Sequence, residues 1–317
     1  PVLLSVRADW YARHGDMQAA LADFTRAIEL APNDSALYEA RAEFHFKMGN
    51  YDQAIADFSE AIQRDSSIAW IWQNRAKTYL QLKDYDRAIT DLDEAIQLGG
   101  KDHRAYLLRA EAQAALGQYD DALKDCEMAL SLRPEDPQAA LIHAQVLVMA
   151  GRSGEYRQAC QAMLDRFGQS TKRGDFCAAA RACVLAPDAV ADPNVPLELA
   201  RRGASENPPQ WILYVLGMAS FRAGKLEDAA RSFHDSLEKD PEWPGIALNW
   251  LGLAMVEQAR GETEAARQWL TKATTAMEER SASAVQARLE FALLRREIER
   301  SLEDSAEPKK ENMDTNE

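Results

Sequence analysis

Two charged series carry the sequence's clearest capacity for polar chemistry. Arg7, Arg41, Arg75 and Arg109 recur at intervals of 34 residues, and Asp23, Asp57, Asp91 and Asp125 recur at the same interval. A guanidinium is a rigid fork of donors that matches a carboxylate or a phosphate oxygen pair. The arginines therefore have two readings: a row that captures phosphate or carboxylate ligands, or a structural ladder paired with the aspartates that fixes the stacking of neighbouring units. The arginine series sits among apolar residues of the first helix, where an unpaired buried charge is strongly unfavourable. A binding site also seldom recurs unchanged in four consecutive units, so the structural ladder is the preferred reading.

The remaining reactive residues do not assemble into a catalytic pattern. His14, His45, His103, His143 and His234 are scattered one per segment, without the spacing that places two imidazoles on one helical face. Cys126, Cys160, Cys177 and Cys183 form no CxxC pair and read as small apolar core residues kept reduced. Gly99-Gly100-Lys101 lacks the earlier glycine and the following hydroxyl of a phosphate-binding loop, and no HExxH or GxSxG occurs. Asn33-Asp34-Ser35 matches a glycosylation triplet in a turn, but nothing else points to secretion. The expectation is a protein that is not an enzyme, with no metal and no cofactor.

Composition narrows the partners. The 317 residues carry a formal net charge of -14 with 28% charged side chains, which disfavours nucleic acid, because a phosphate backbone rewards clustered Lys and Arg. No apolar run approaches the roughly 18 residues of a membrane-spanning helix, and no signal-peptide pattern opens the chain. No membrane association and a cytoplasmic location are expected. The first residue is Pro1 rather than Met, which leaves open whether a targeting signal or a further domain precedes it.

The charged series belong to a larger repeat. Gly15-Asp16, Ala20, Phe24, Ala27 and Pro32 return as Gly49-Asn50-Tyr51, Ala54, Phe58 and Ala61, with Ser66 in the proline slot. Trp72, Tyr79, Tyr85, Ala88, Leu92 and Ala95 form a third copy, and Tyr106, Gly117, Tyr119, Ala122, Ala129 and Pro134 a fourth. Apolar residues fall at helical spacing on both sides of each glycine, which predicts two amphipathic helices around a tight turn. One such hairpin cannot bury its apolar face alone, so neighbours must stack into a continuous core.

This pattern resembles the tetratricopeptide repeat. The resemblance implies an all-α fold, a right-handed superhelical solenoid of antiparallel helix pairs, with a C-terminal capping helix. Four regular units are expected over 1–136 and two irregular ones over 137–209. The latter carry an insertion at Arg152-Ser153-Gly154-Glu155, read as a longer turn, and the Pro-rich stretch 187–196. Two further units over 210–280 are recognised by Leu216-Gly217, Gly224, Ala229 and Phe233, then Trp250, Gly261, Ala266 and Ala273. A capping helix is expected over 281–303, apolar at Val285, Leu289, Leu293 and Ile298, and a disordered tail over 304–317.

In arrays that resemble this one, the first helix of each pair lines a concave groove that holds a peptide or protein segment. The matching slots here are Glu39, Glu43, Phe46, Lys47, Trp70, Gln73, Asn74 and Lys77, then Trp211, Tyr214, Met218 and Phe221, followed by the apolar Leu248, Leu251 and Met255. Trp211 and Phe221 have a second reading, as packing against the preceding irregular unit. A clamp for an acidic chain terminus, the best-known ligand mode of the family, needs Lys and Asn from successive first helices. Among Glu39, Glu43, Asn74 and Arg104 only the asparagine fits. The function expected is a protein-interaction scaffold or adaptor, of oligomeric state that the sequence leaves open. Residues 182–193, Ala-Cys-Val-Leu-Ala-Pro-Asp-Ala-Val-Ala-Asp-Pro, are similar to a segment of bacterial repeat arrays attached to serine/threonine kinases or to β-propeller modules. That similarity implies the alternative, a regulatory or substrate-recruiting module of a larger signalling protein.

Overall fold

A computed structural model describes residues 1–99, 101–279 and 285–306. Seventeen α-helices account for its regular structure, and no strand occurs among the described residues. The chain divides into two compact units, 1–146 and 147–317. Residues 304–306, expected as the start of a disordered tail, are instead the helical end of the last helix, because the apolar and charged pattern before them carries the helix on; residues 307–317 of that tail lie outside the described residues, as do Gly100 and residues 281–284 of the expected cap.

The first unit holds α1 (Val2–Arg13) to α8 (Tyr119–Leu132) and most of α9 (Pro137–Met149). Its pairs are α1 with α2 (Met17–Leu30), α3 (Ser35–Lys47) with α4 (Tyr51–Arg64), α5 (Ala69–Gln81) with α6 (Tyr85–Gly99), and α7 (His103–Ala115) with α8. Short polar caps begin several of these helices. The carboxylate of Asp16 accepts the Ala19 amide at 3.0 Å, and Asp34 and Asp102 cap α3 and α7 the same way. Gly15, Gly49 and Gly117 turn the first, second and fourth hairpins with φ between +75° and +86°. In the third hairpin Lys83 occupies that slot at φ +61°, a conformation that disfavours a side chain. Fully buried alanines at 8, 20, 42, 54, 76 and 88 let the paired helices approach.

The second unit begins within α9 and contains α10 (Ser153–Phe167), α11 (Arg173–Ala182), α12 (Asn194–Gly203), α13 (Gln210–Arg222), α14 (Leu226–Lys239), α15 (Ile246–Arg260), α16 (Thr263–Glu279) and α17 (Val285–Ala306). The longer turn expected at Arg152–Glu155 is not there. Gly151 takes the left-handed conformation and Ser153 already opens α10, so the extra residues became its first turn. The long connection between α11 and α12 is present and folds inward. Val184, Leu185 and Ala189 are buried, the Tyr156 hydroxyl donates to the Ala182 carbonyl at 2.7 Å, and the Ala186 amide donates to that hydroxyl. All four cysteines are buried and unpaired.

Phe233 organises the core of this unit. Its ring lies against Gly217 of α13 and Gly252 of α15, where an added Cβ would come within 2.4 Å and 2.3 Å of ring carbons. Only glycine admits that approach. The expected terminal helix is α17, and its packing is mainly on α15, with α16 touched at the margin.

Candidate protein-binding groove

The arginine ladder sets what the first helices leave free. Within each hairpin of the first unit the guanidinium grips the aspartate of the second helix with two bonds. Arg7 donates to Asp23 at 2.6 and 2.8 Å, Arg41 to Asp57 at 2.7 and 2.7 Å, Arg75 to Asp91 at 2.8 and 2.8 Å, and Arg109 to Asp125 at 2.7 and 2.7 Å. These bonds lock a hairpin internally, which corrects the reading that the pairs chiefly join neighbouring units. The join is made by the third nitrogen: Nη1 of Arg41, Arg75 and Arg109 reaches Thr25, Ser59 and Asp93 of the preceding hairpin at 3.5, 2.9 and 2.6 Å. With all three nitrogens of Arg41, Arg75 and Arg109 engaged and their aspartates buried, these three arginines hold hairpins together, while Arg7 shows two bonds to Asp23 and a more exposed side chain.

The first-helix face of α3 and α5 holds a pocket of about 220 Å³, lined by Glu43, Phe46, Lys47, Phe58, Asn74 and Lys77. Five of the eight residues expected on this face line the pocket. Phe58 was missed: it is the repeated aromatic of the second helix, buried at 1% exposure, yet it is among the residues that line the pocket. The polar rim is a chain of contacts. Lys77 Nζ donates to Asn74 Oδ1 at 3.3 Å, Asn74 Nδ2 to Glu43 Oε1 at 3.5 Å, and Lys47 stands 3.9 Å from Glu43. Burial, with help from the positive charge of Arg104, pushes the Lys77 ammonium below its ordinary range.

Beside the pocket stand Glu39 and Trp70. Burial, reinforced by repulsion from Glu43, pushes Glu39 up to about 7, against a hydrogen bond from the Trp70 indole. Trp70 is 44% exposed. Gln73 is different: it is buried, its Nε2 donates to Asp102 Oδ2 at 3.3 Å, and it offers nothing to a ligand. It is removed from the expected groove residues because its slot is covered by its own unit's neighbours.

In the second unit the expected groove residues are brought together but are not free. Tyr214 and Met218 are 1% and 0% exposed, which corrects their reading as open groove positions. The cause is α17. Tyr214 Oη donates to Glu290 Oε1 at 2.7 Å, and Met218 shares one core with Phe291, Leu294, Ile298 and Leu302 of α17. Leu248, Leu251 and Met255 of α15 belong to the same core. Trp211 packs on Phe176, Cys177 and Ile212, and Phe221 lies half-buried on the main core, so for these two the packing reading is the one the structure carries. The sequence reading overlooked Arg181, Arg222, Glu290 and Glu297. Arg222 follows Phe221 as Lys47 follows Phe46, and that slot equivalence was the available signal.

No group of three or more His, Cys, Asp or Glu fit to hold a metal occurs among the described residues. No helix among them is long and apolar enough to cross a membrane. His45 is buried near Asp57, and burial lowers its pKa.

With this geometry in view, comparisons with known proteins agree on the class of fold. Residues 5–149 match the family model described as the ETO1 C-terminal domain, and residues 214–284 match a tetratricopeptide repeat model. No curated protein matches the chain. Among solved structures, a tetratricopeptide repeat protein from Parabacteroides merdae ATCC 43184 is similar at 16% identity and a TM-score of 0.59, over 92% of this chain and 97% of its own. PilW, described as a widely conserved type IV pilus biogenesis factor, is similar at 17% identity and a TM-score of 0.51, over 76% and 93%. The fold is thus an all-helical solenoid of the tetratricopeptide-repeat type. The kinase-attached arrays that residues 182–193 resemble are not among these similarities.

Proposed function

We propose that the chain is a protein-interaction scaffold whose working face is the first-helix surface of α3 and α5, and that this face takes an extended or helical segment bearing a basic side chain next to an apolar one. The observation that carries the reading is the juxtaposition of Glu39, Glu43 and exposed Trp70 with the Phe46–Phe58 pocket. Two neighbouring carboxylates, one of them half-buried and held partly protonated, gain from an incoming cation. The indole face adds a cation–π contact, worth about 0.5–2 kcal/mol depending on desolvation. The pocket alongside, with its apolar floor, suits the apolar anchor that commonly dominates such interfaces. The acidic balance of the chain, -14, steers a basic segment toward it.

The test is a selection of random peptides displayed against the full chain. Enriched peptides are expected to carry Arg or Lys within a few residues of a Leu, Met or aromatic residue, and their affinity is expected to fall at least tenfold for the double variant Glu39→Gln, Glu43→Gln. Enrichment of acidic peptides, or affinities indifferent to those substitutions and to Asn74→Ala, overturns the assignment.

A further inference from the structure

The first-helix face of the second unit already holds a helix. Residues 285–306 form an amphipathic helix that packs on α15 and reaches α11 and α13 through side chains; α11, α13 and α15 are each the first helix of a pair. It makes polar contacts with all three. Arg181 of α11 donates to Glu290 at 3.0 Å through Nε, Tyr214 of α13 donates to the other oxygen of Glu290, and Arg222 of α13 donates to Glu297 at 2.7 Å through Nη2. Gln258 of α15 donates to the Ser301 carbonyl and to the Ser305 hydroxyl. Between these contacts Phe291, Leu294, Ile298 and Leu302, spaced three and four apart, cover Met218, Leu248, Leu251 and Met255. Tyr214 and Met218 stand in the slots that Glu39 and Glu43 hold in the first unit's open face, and Arg222 stands in the slot of Lys47.

A helix that only closed the end of the stack would sit on α16. This one lies instead on the ligand face, and it is recognised as a ligand is: two carboxylates seven residues apart meet two arginines and a tyrosine, flanking an apolar stripe. We propose that the face of α11, α13 and α15 is a second docking groove, specific for an amphipathic helix with acidic residues at that spacing, and that α17 is its resident occupant, displaced in trans by a partner helix of the same pattern. Tethering gives α17 a high effective concentration, so it excludes weak competitors and yields only to a helix that matches it well. The groove concerned is separate from that of α3 and α5, and the proposal stands or falls independently of the one made for that face.

The probe is a fluorescent synthetic peptide of residues 285–306, added to the full chain. A variant with Leu294→Asp and Ile298→Asp, which loosens α17 from its seat, is expected to bind the peptide at least tenfold more tightly than the unaltered chain does. A peptide with Glu290→Lys and Glu297→Lys is expected not to bind. Equal affinity of both chains, or of both peptides, overturns the proposal, as does a variant that is folded and binds neither. Should the variant fail to fold, hydrogen exchange on the unaltered chain decides. The amides of α17 are expected to exchange at least a hundredfold faster than those of α15, through opening of α17 alone; exchange of the two helices in step would make α17 an inseparable part of the core and end the proposal.

Discussion

The two units use one helix-pair frame and hold it together by different chemistry. In the first, an arginine of each of α1, α3, α5 and α7 is bound to an aspartate sixteen residues on. In the second, the equivalent slots are Leu216 with Ser232 and Leu253 with Trp269, and Phe233 seated between two glycines does the holding. The ligand face follows the same division. Where Glu39, Glu43 and Lys77 occupy it, it faces solvent with a pocket at its centre. Where Tyr214, Leu251, Met218 and Met255 occupy it, it is buried under α17. Polar slots leave a groove that water tolerates, whereas apolar slots demand a cover, since exposed apolar surface is unfavourable at about 25 cal/mol per Å².

The difference predicts unequal responses to substitution. The largest is expected for Phe233→Ala, because Gly217 and Gly252 supply no side-chain atoms to refill the space. Loss of about 4 kcal/mol is expected, read as an earlier denaturation of the second unit followed through its tryptophans. A loss under about 1 kcal/mol would mean that the second unit does not rest on this ring.

Next in size is the ladder. Arg75→Leu leaves buried Asp91 without its cation and is expected to lower the stability of the first unit by about 3 kcal/mol. The double variant with Asp91→Leu is expected to recover most of that, because removing both charges also removes both desolvation penalties. If the double variant is no better than the single one, the pair is not the unit that matters.

A smaller effect concerns pH. Glu39 binds its proton more tightly in the folded chain than a free carboxyl does, so its contribution to stability is present below the ordinary carboxylate range and declines as pH rises toward 7. A basic ligand favours the ionised form and expels that proton. Affinity for a selected Arg-bearing peptide is therefore expected to rise on the order of tenfold between pH 6 and pH 8, and Glu39→Gln is expected to flatten the profile. A profile unchanged by that substitution would remove Glu39 from the site.

The smallest is local. Lys83→Gly relieves a left-handed backbone that the other hairpins of the first unit give to glycine, and is expected to stabilise that unit by about 0.5–1 kcal/mol, measured as a raised melting temperature.

The repeat was legible from sequence because Ala20, Phe24, Ala27 and the glycine before them recur at one spacing, and helical period and turn chemistry are local properties. The partner of each arginine was legible as a residue type, but the division of labour among its three nitrogens was not. Which nitrogen faces the preceding hairpin depends on how two hairpins stack, and Thr25, Ser59 and Asp93 share no side-chain type that would mark them. On the ligand face, slot equivalence found Glu43, Phe46, Lys47, Asn74 and Lys77. It misplaced Tyr214 and Met218, because their cover comes from a helix some seventy residues later. That helix was recognised from Val285, Leu289 and Ile298, and its destination was hidden. Its charges look like ordinary solvated ones until Glu290 is found at 0% exposure between Arg181 and Tyr214.

The contrast between an open and an occupied face is tested most directly by hydroxyl-radical footprinting of the intact chain, with modification rates read residue by residue by mass spectrometry. Rapid labelling of Trp70 and Phe46 with strong protection of Tyr214, Met218 and Met255 is the predicted result. Labelling of Met218 and Met255 as fast as that of exposed methionines such as Met48 and Met128 would show that α17 does not cover the second face, and would contradict the account.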